Sequence, residues 1–198
     1  MRVGLTGGIA CGKSVVRRRL SECDVPTLDA DEVVHGLLAS GTDVSREIES
    51  AFGAEVVAAD GSVDRKRLGA RAFSDERARE RLNAIVHPRV FSAIESFFEK
   101  MAREKKSIAV VDAALMIETG SFRHYDCIVV VFCRPALQLR RLMERDGLTR
   151  EEAERRIRAQ MPIDEKCRFA DFLVDTSGTL EGTLAQTDRL LDELRARV

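Results

Sequence analysis

Apolar residues in this chain fall into two kinds of stretch. Five short runs, at residues 3–6, 25–29, 108–111, 127–133 and 172–174, are apolar almost without interruption. Strands covered on both faces have this pattern, so the runs predict a parallel sheet. Between them, apolar residues recur three and four apart, the period of helices with one buried face. This spacing predicts helices over 13–21, 31–38 (Val33, Val34, Leu37 and Leu38 on one face), 43–52 and from a cap at Asp64 to 73. A long helix follows from Ser74-Asp75, with Leu82, Ile85, Val86, Val90, Phe91, Ile94, Phe97, Phe98 and Met101 as one buried stripe. Pro88 lacks a backbone donor and is predicted to interrupt that helix, leaving His87 at a kink or junction. Pro135 opens a further helix where its missing N–H costs nothing. Thr149-Arg150-Glu151-Glu152 then reads as a capping box for a helix through 160, which Pro162 ends. A last helix runs to about 195.

Strands alternating with helices predict an α/β fold, with a five-stranded parallel sheet between two helical layers. The expected organisation is one domain over 1–198. Its core would be 1–42, 107–137 and 170–198, with a helical substrate-binding insertion at 43–106 and a helical lid at 138–169. The lid assignment rests on Arg155, Arg156 and Arg158 in a helical pair poor in apolar anchors, the profile of a segment that moves.

Composition narrows the partners. Lys+Arg 32 against Asp+Glu 33 gives a net charge of -1, so there is no global electrostatic case for nucleic acid or an anionic membrane. No apolar run approaches the length of a transmembrane helix. The five cysteines, Cys11, Cys23, Cys127, Cys133 and Cys167, have no C-x-x-C spacing. They are expected as reduced thiols of a cytoplasmic protein, not as metal ligands. Oligomeric state is not legible.

The chemistry begins in the first strand. Gly7, Gly12, Lys13 and Ser14 fill the fixed positions of G-x-x-x-x-G-K-[ST], the phosphate-binding loop, with a strand before it and a helix after it. Glycines let bare backbone approach a phosphate, so Gly8, Ile9, Ala10, Cys11, Gly12, Lys13, Ser14 and Val15 are the expected nucleotide contacts. Lys13 supplies a point charge for the β and γ phosphates, and the Ser14 hydroxyl a ligand for magnesium. Asp112, an acid closing an apolar strand, is a second magnesium candidate, with Glu118 in the segment after it. Asp29-Ala30-Asp31 sits where a strand ends and a helix begins, so each acid reads either as a helix cap or as a group facing the ligand crevice. His87 is likewise either structural or presented to a ligand. Gln138, Arg141 and Arg145 share one helix stripe, suited to a phosphate chain or to a solvated face paired with Glu144 and Asp146. No Asn-Lys-x-Asp segment and no Asp-x-x-Gly switch after the third strand is present, which argues against a regulatory GTPase. A phosphate loop at the start, an insertion and an arginine-rich lid are arranged as in a small-molecule kinase.

Leu5-Thr6-Gly7-Gly8-Ile9, Asp29-Ala30-Asp31, Leu82-Asn83-Ala84-Ile85-Val86-His87-Pro88, Leu115-Met116-Ile117-Glu118, Gln138 with Arg141 and Arg145, and Ala170-Asp171 together resemble the dephospho-CoA kinases over nearly the whole chain. The resemblance implies transfer of the γ-phosphoryl group of ATP to the ribose 3′-hydroxyl of dephospho-CoA, the last step of coenzyme A synthesis. It implies Asp31 as the acid that orients the attacking hydroxyl and accepts its proton, and Lys13, Arg141 and Arg145 as charges on the transferring group. It also implies magnesium at Ser14 and an acceptor side of His87 and the Leu115 to Glu118 loop, to which Thr6 and Asp31 are added as expected substrate contacts. Three positions depart from the family pattern: Ala114 for proline, Val15 for threonine, and Thr176 for asparagine in the loop expected to touch adenine. Cys11, at a helix N-terminus beside Lys13, is expected to be acidified. A kinase of another small hydroxyl compound and a non-catalytic nucleotide sensor remain open on sequence alone.

Overall fold

The structure is a computed structural model describing residues 1–73 and 75–198; Ser74, one of the two residues expected to start the long helix, lies outside the described residues. In chain order the elements are β1 (Arg2–Gly7), α1 (Lys13–Glu22), β2 (Thr27–Asp29), α2 (Ala30–Leu37), α3 (Asp43–Phe52), α4 (Arg65–Phe73) and α5 (Glu76–Arg103). There follow β3 (Ala109–Asp112), β4 (Cys127–Phe132), α6 (Pro135–Asp146), α7 (Arg150–Arg158), α8 (Ile163–Cys167), β5 (Phe172–Asp175) and α9 (Leu180–Arg195). Among the described residues no helix is long and apolar enough to cross a membrane.

The chain divides into two compact units, one of residues Met1–Asp29 and Phe98–Val198, the other of Ala30–Phe97. The first holds the parallel sheet, in the order β2-β3-β1-β4-β5. Alternate residues face opposite ways along each strand. One face buries Val3, Leu5, Val129 and Val131 against Val16 and Leu20 of α1 and Leu190, Leu191 and Leu194 of α9. The other packs Ile128 and Val130 against Met116 and Ile117, with Ile163 and Cys167 of α8 beside them. Gly4 is on this second face because a Cβ there would lie 2.5 Å from the Met116 sulfur. The expected three layers are therefore present. Register brings Asp29 of β2 opposite Asp112 of β3, and Asp112 opposite Leu5 of β1, so two acids end neighbouring strands side by side.

The second unit has its own core of Leu38, Val44, Ile48, Phe52, Val56, Val63, Leu68, Ile85 and Val86. Two of its helices, α3 and α4, start on side-chain caps. Thr42 Oγ1 accepts the Ser45 N–H, and Asp64 Oδ1 accepts the Lys66 and Arg67 N–H groups.

Three expectations change. Helix α5 runs from Glu76 to Arg103 with Pro88 inside it, so His87 is at neither a break nor a junction. Proline forfeits one hydrogen bond, which buried Ile85 and Val86 before it and Phe98 and Met101 after it offset. Phe91 leaves the stripe and is 45% exposed. Helix α8 was not anticipated, because a lysine occupies one of its inward positions.

Gly7 lies opposite Val131, and a Cβ on it would collide with the Val131 carbonyl oxygen. Backbone cannot retreat from that contact without separating β1 from β4. Gly7→Ala is therefore expected to lower stability by about 1–3 kcal/mol in urea denaturation and to weaken nucleotide binding. An unchanged unfolding midpoint would refute the close approach.

Candidate active site

Strand β1 delivers the chain to the loop over residues 8–12, and α1 starts at Lys13. Ala10 and Gly12 both have positive φ, +58° and +81°, which turns successive peptide groups inward. The Cys11 N–H donates to the Gly8 carbonyl at 3.1 Å and closes the loop. Among the described residues the amide hydrogens of Ala10, Gly12, Lys13 and Ser14 have no acceptor. Open amides in a left-handed turn at a helix N-terminus form an anion cradle, and the first turn of α1 carries no acid to oppose one. Side chains would spoil it. A Cβ on Gly8 would meet Gln138 Nε2 at 2.8 Å, and one on Gly12 would meet Thr176 Oγ1 at 3.3 Å.

Beside the cradle, Lys13 Nζ is bonded to Asp112 Oδ1. Arg17, one turn further along α1, has Nε 3.5 Å from Asp112 Oδ2 and Nη1 3.0 Å from Asp29 Oδ2. Burial pushes the Asp112 carboxyl above the usual carboxylate range, and Lys13 acts in the opposite sense. Ser14 is exposed at the same helix start. A hydroxyl and a carboxylate are the hard oxygen donors that suit magnesium, which keeps several waters and takes only one or two protein ligands when it rides on phosphates. Among the described residues no group of three acids, histidines or cysteines could hold a metal ion.

A second node supports the loop from below. Thr176, buried after β5, donates from Oγ1 to the Cys11 carbonyl at 2.7 Å. Arg141 of α6 donates to Thr176 Oγ1 at 3.0 Å and to its carbonyl at 2.9 Å. The Thr176 hydroxyl is thus engaged by protein, whatever its loop does for a base. Arg145 goes elsewhere, to Asp146 at 2.7 Å, which also receives Arg156. The Cys11 expectation is overturned. Its sulfur is buried 3.6 Å from Cys133 Sγ, and the hydrogen bond with Cys133, together with burial, drives its pKa up. The same hydrogen bond and Arg141 draw the Cys133 thiol down. Van der Waals contact with a second thiol was not visible in the spacing of either residue.

A third set of contacts was also missed. The Ile9 N–H donates to Gln160 Oε1 at 2.8 Å, and its carbonyl accepts from Gln138 Nε2 at 2.9 Å. Glu118 Oε1 accepts the Met161 N–H at 3.1 Å and lies 2.8 Å from the buried Lys166 Nζ. Thr6, fully buried, donates to the Ala114 carbonyl, while Leu115 is 48% exposed next to it. A stripe of Ile163, Lys166, Cys167 and Ala170 at helical spacing was the available signal for this region, had the lysine stem been read as apolar.

Lys13, Ser14, Asp112, Arg141 and Thr176 therefore meet at the carboxyl end of the sheet, with Arg17, Asp29, Gln138 and Gln160 around them. Two predicted residues belong to the other unit. Asp31 is exposed in the first turn of α2, two residues past the end of β2, and His87 is exposed on α5.

The family model described as dephospho-CoA kinase, CoaE, matches residues 1–182. A dephospho-CoA kinase of Anaeromyxobacter dehalogenans is 44% identical over 193 residues, covering 98% of this chain and 92% of the relative. The solved structure of TT1252 from Thermus thermophilus superposes with a TM-score of 0.84 at 30% identity, covering 100% of this chain and 97% of that one. The structure of dephospho-CoA kinase from Campylobacter jejuni gives 0.75 at 25% identity, with 100% and 98% covered. With a phosphate cradle, a lysine and a buried acid at the sheet end, and relatives of this length along the whole chain, the protein belongs to the dephospho-CoA kinase family.

Proposed function

We propose that this chain phosphorylates the ribose 3′-hydroxyl of dephospho-CoA with ATP, with Asp31 as the acid facing the acceptor. The observation that carries the reading is the cradle with Lys13 and Asp112 at its edge, in a chain that matches dephospho-CoA kinases throughout. ATP as co-substrate follows from the family. The residue roles are inferred from chemistry and position.

Amides of residues 10 and 12–14 would bind the β and γ phosphate oxygens, as fixed dipoles aimed where charge accumulates. Lys13 exchanges its carboxylate partner for a phosphate, and Arg141, already under the loop, adds positive charge beside it. Arg145, held only by an exposed pair to Asp146, is available for the same chain. Magnesium, held by Ser14 and Asp112, would neutralise charge between the phosphates when bound. Asp31 follows the strand that ends at Asp29, so its carboxylate would accept a hydrogen bond from the 3′-hydroxyl. As that oxygen bonds to the γ phosphorus, its proton passes to Asp31 and ADP leaves with the electron pair of the broken P–O bond. Thr6 holds the Ala114 carbonyl, and Leu115, Glu118 and His87 would border the acceptor. The helical residues 43–106 would bind the rest of dephospho-CoA, and 138–169 would close over ATP to exclude water.

Two outcomes follow. Asp31→Asn should lower kcat by about 10²- to 10⁴-fold while ATP affinity stays unchanged, read by a coupled ADP assay and by nucleotide titration; undiminished turnover would sink the role. Thr176→Val keeps shape but removes the hydroxyl that joins Arg141 to the Cys11 carbonyl. It should cost about 1–3 kcal/mol in denaturation and raise KM for ATP more than it changes KM for dephospho-CoA.

A further inference from the structure

Lys166 is the largest fully buried side chain among the described residues, with no exposed surface. It sits on the inward side of α8, on a helix whose Ile163 and Cys167 pack beside the sheet. An ammonium in such a place is costly unless its protons are matched. A methionine would fill the same space at no electrostatic cost. The charge therefore has to be explained by what it holds.

Its Nζ donates to the Ala114 carbonyl at 2.8 Å and lies 2.8 Å from Glu118 Oε1. Each of these oxygens has a second donor in another functional segment. The Ala114 carbonyl, two residues past Asp112, also accepts from Thr6 Oγ1, one residue before the phosphate loop. Glu118 Oε1 also accepts the Met161 N–H, beside Gln160, whose side chain holds the Ile9 N–H. The Ile9 carbonyl is taken from the other side by Gln138. A closed circuit results, running from the end of β1 through Thr6, Ala114, Lys166, Glu118 and Met161 to Gln160 and back into the loop at Ile9. Lys166 is its one formal positive charge and joins the two halves.

We propose that Lys166 is a positioning residue for phosphoryl transfer. Through Ala114 it fixes the segment after Asp112, and through Glu118 and Met161 it sets Gln160 on the phosphate loop. The segment between α7 and α8 is thereby coupled to the cradle, so displacement of the arginine-rich helix α7 is felt at Ile9. The inference rests on the reading of the cradle as the ATP site, and it adds a residue that no step of the transfer touches.

The test compares wild type, Lys166→Met, Lys166→Met/Glu118→Met and Gln160→Ala by melting temperature, ATP affinity and kcat. Lys166→Met should melt lower and, if it folds, lose about tenfold or more in kcat, since small misplacements are amplified in rate. The double variant removes the uncompensated carboxylate, so its melting temperature should return toward wild type. Its ATP affinity should stay weakened by about fivefold, the size of a modest coupling between sites. Gln160→Ala, at a partly exposed position, should reproduce the weaker ATP affinity without the loss in melting temperature. Recovery of ATP affinity in the double variant would mean that Lys166 only balances Glu118 and would overturn the proposal. Wild-type ATP affinity in Gln160→Ala, or wild-type kcat in Lys166→Met, would overturn it equally. Failure of the wild type to turn over dephospho-CoA would instead refute the substrate assignment, and the ATP affinities would still decide the role of Lys166.

Discussion

The phosphate end of this protein depends on one buried carboxylate. Asp112 ends β3 beside the end of β2 at Asp29, with β1 on its other side, and is almost fully shielded from water. Its counter-charges come from a single face of α1, Lys13 and Arg17, four residues apart and so stacked on adjacent turns. That arrangement ties the first helix to the sheet at the point where the loop must hold its shape. It also gives Lys13 a neutralised resting position. Under the proposed function a triphosphate would compete with Asp112 for the ammonium, and Arg17, which spans Asp112 and Asp29, would remain to balance the carboxylates. Removing either partner of such a pair would strand a charge in a low-dielectric site.

The loop has a second set of restraints that carry little net charge. Gln138 and Gln160 hold the two polar groups of Ile9, and Thr176 holds the Cys11 carbonyl. Carboxamides and a hydroxyl can restrain backbone here without competing with phosphate for the cationic side chains. Arg141 works in both sets, since its fork is committed to Thr176 while its charge lies under the cradle. Arg145 differs. Its partner Asp146 is solvated and shared with Arg156, and exposed pairs of this kind contribute about 0–1 kcal/mol, little enough to be exchanged for a phosphate oxygen.

Legibility in the sequence followed the range of the interactions. The strands, α3, the Thr149–Glu152 capping box and the phosphate loop are set by neighbours within a few residues, and each was readable. Pro88 misled because a local penalty of one hydrogen bond was outweighed by burial along a 28-residue helix. Helix α8 was hidden because Lys166 is polar by type and apolar by location. Cys11 was judged from its helix N-terminus, yet its sulfur is buried against Cys133, 122 residues away. The roles of Gln160, Thr176 and Arg17 depend on partners brought together only by the sheet order, and no spacing encodes them.

The same distinction explains why the motif identifies the nucleotide half better than the acceptor half. A phosphate is recognised by backbone amides and one lysine, and the geometry that presents them fixes glycine and lysine at set positions in any sequence that uses it. An acceptor hydroxyl needs only one acid, and an acid at a strand-to-helix junction also makes an ordinary cap. Asp29 and Asp31 stand at one such junction within three residues. Asp29 is paired with Arg17 beside Asp112, so its charge is committed to the sheet end. Asp31, next to Ala30 in the first turn of α2, is exposed. The pairing with Arg17 puts Asp29 among the acids that hold the sheet end together, and the proposed function therefore assigns the acceptor to Asp31.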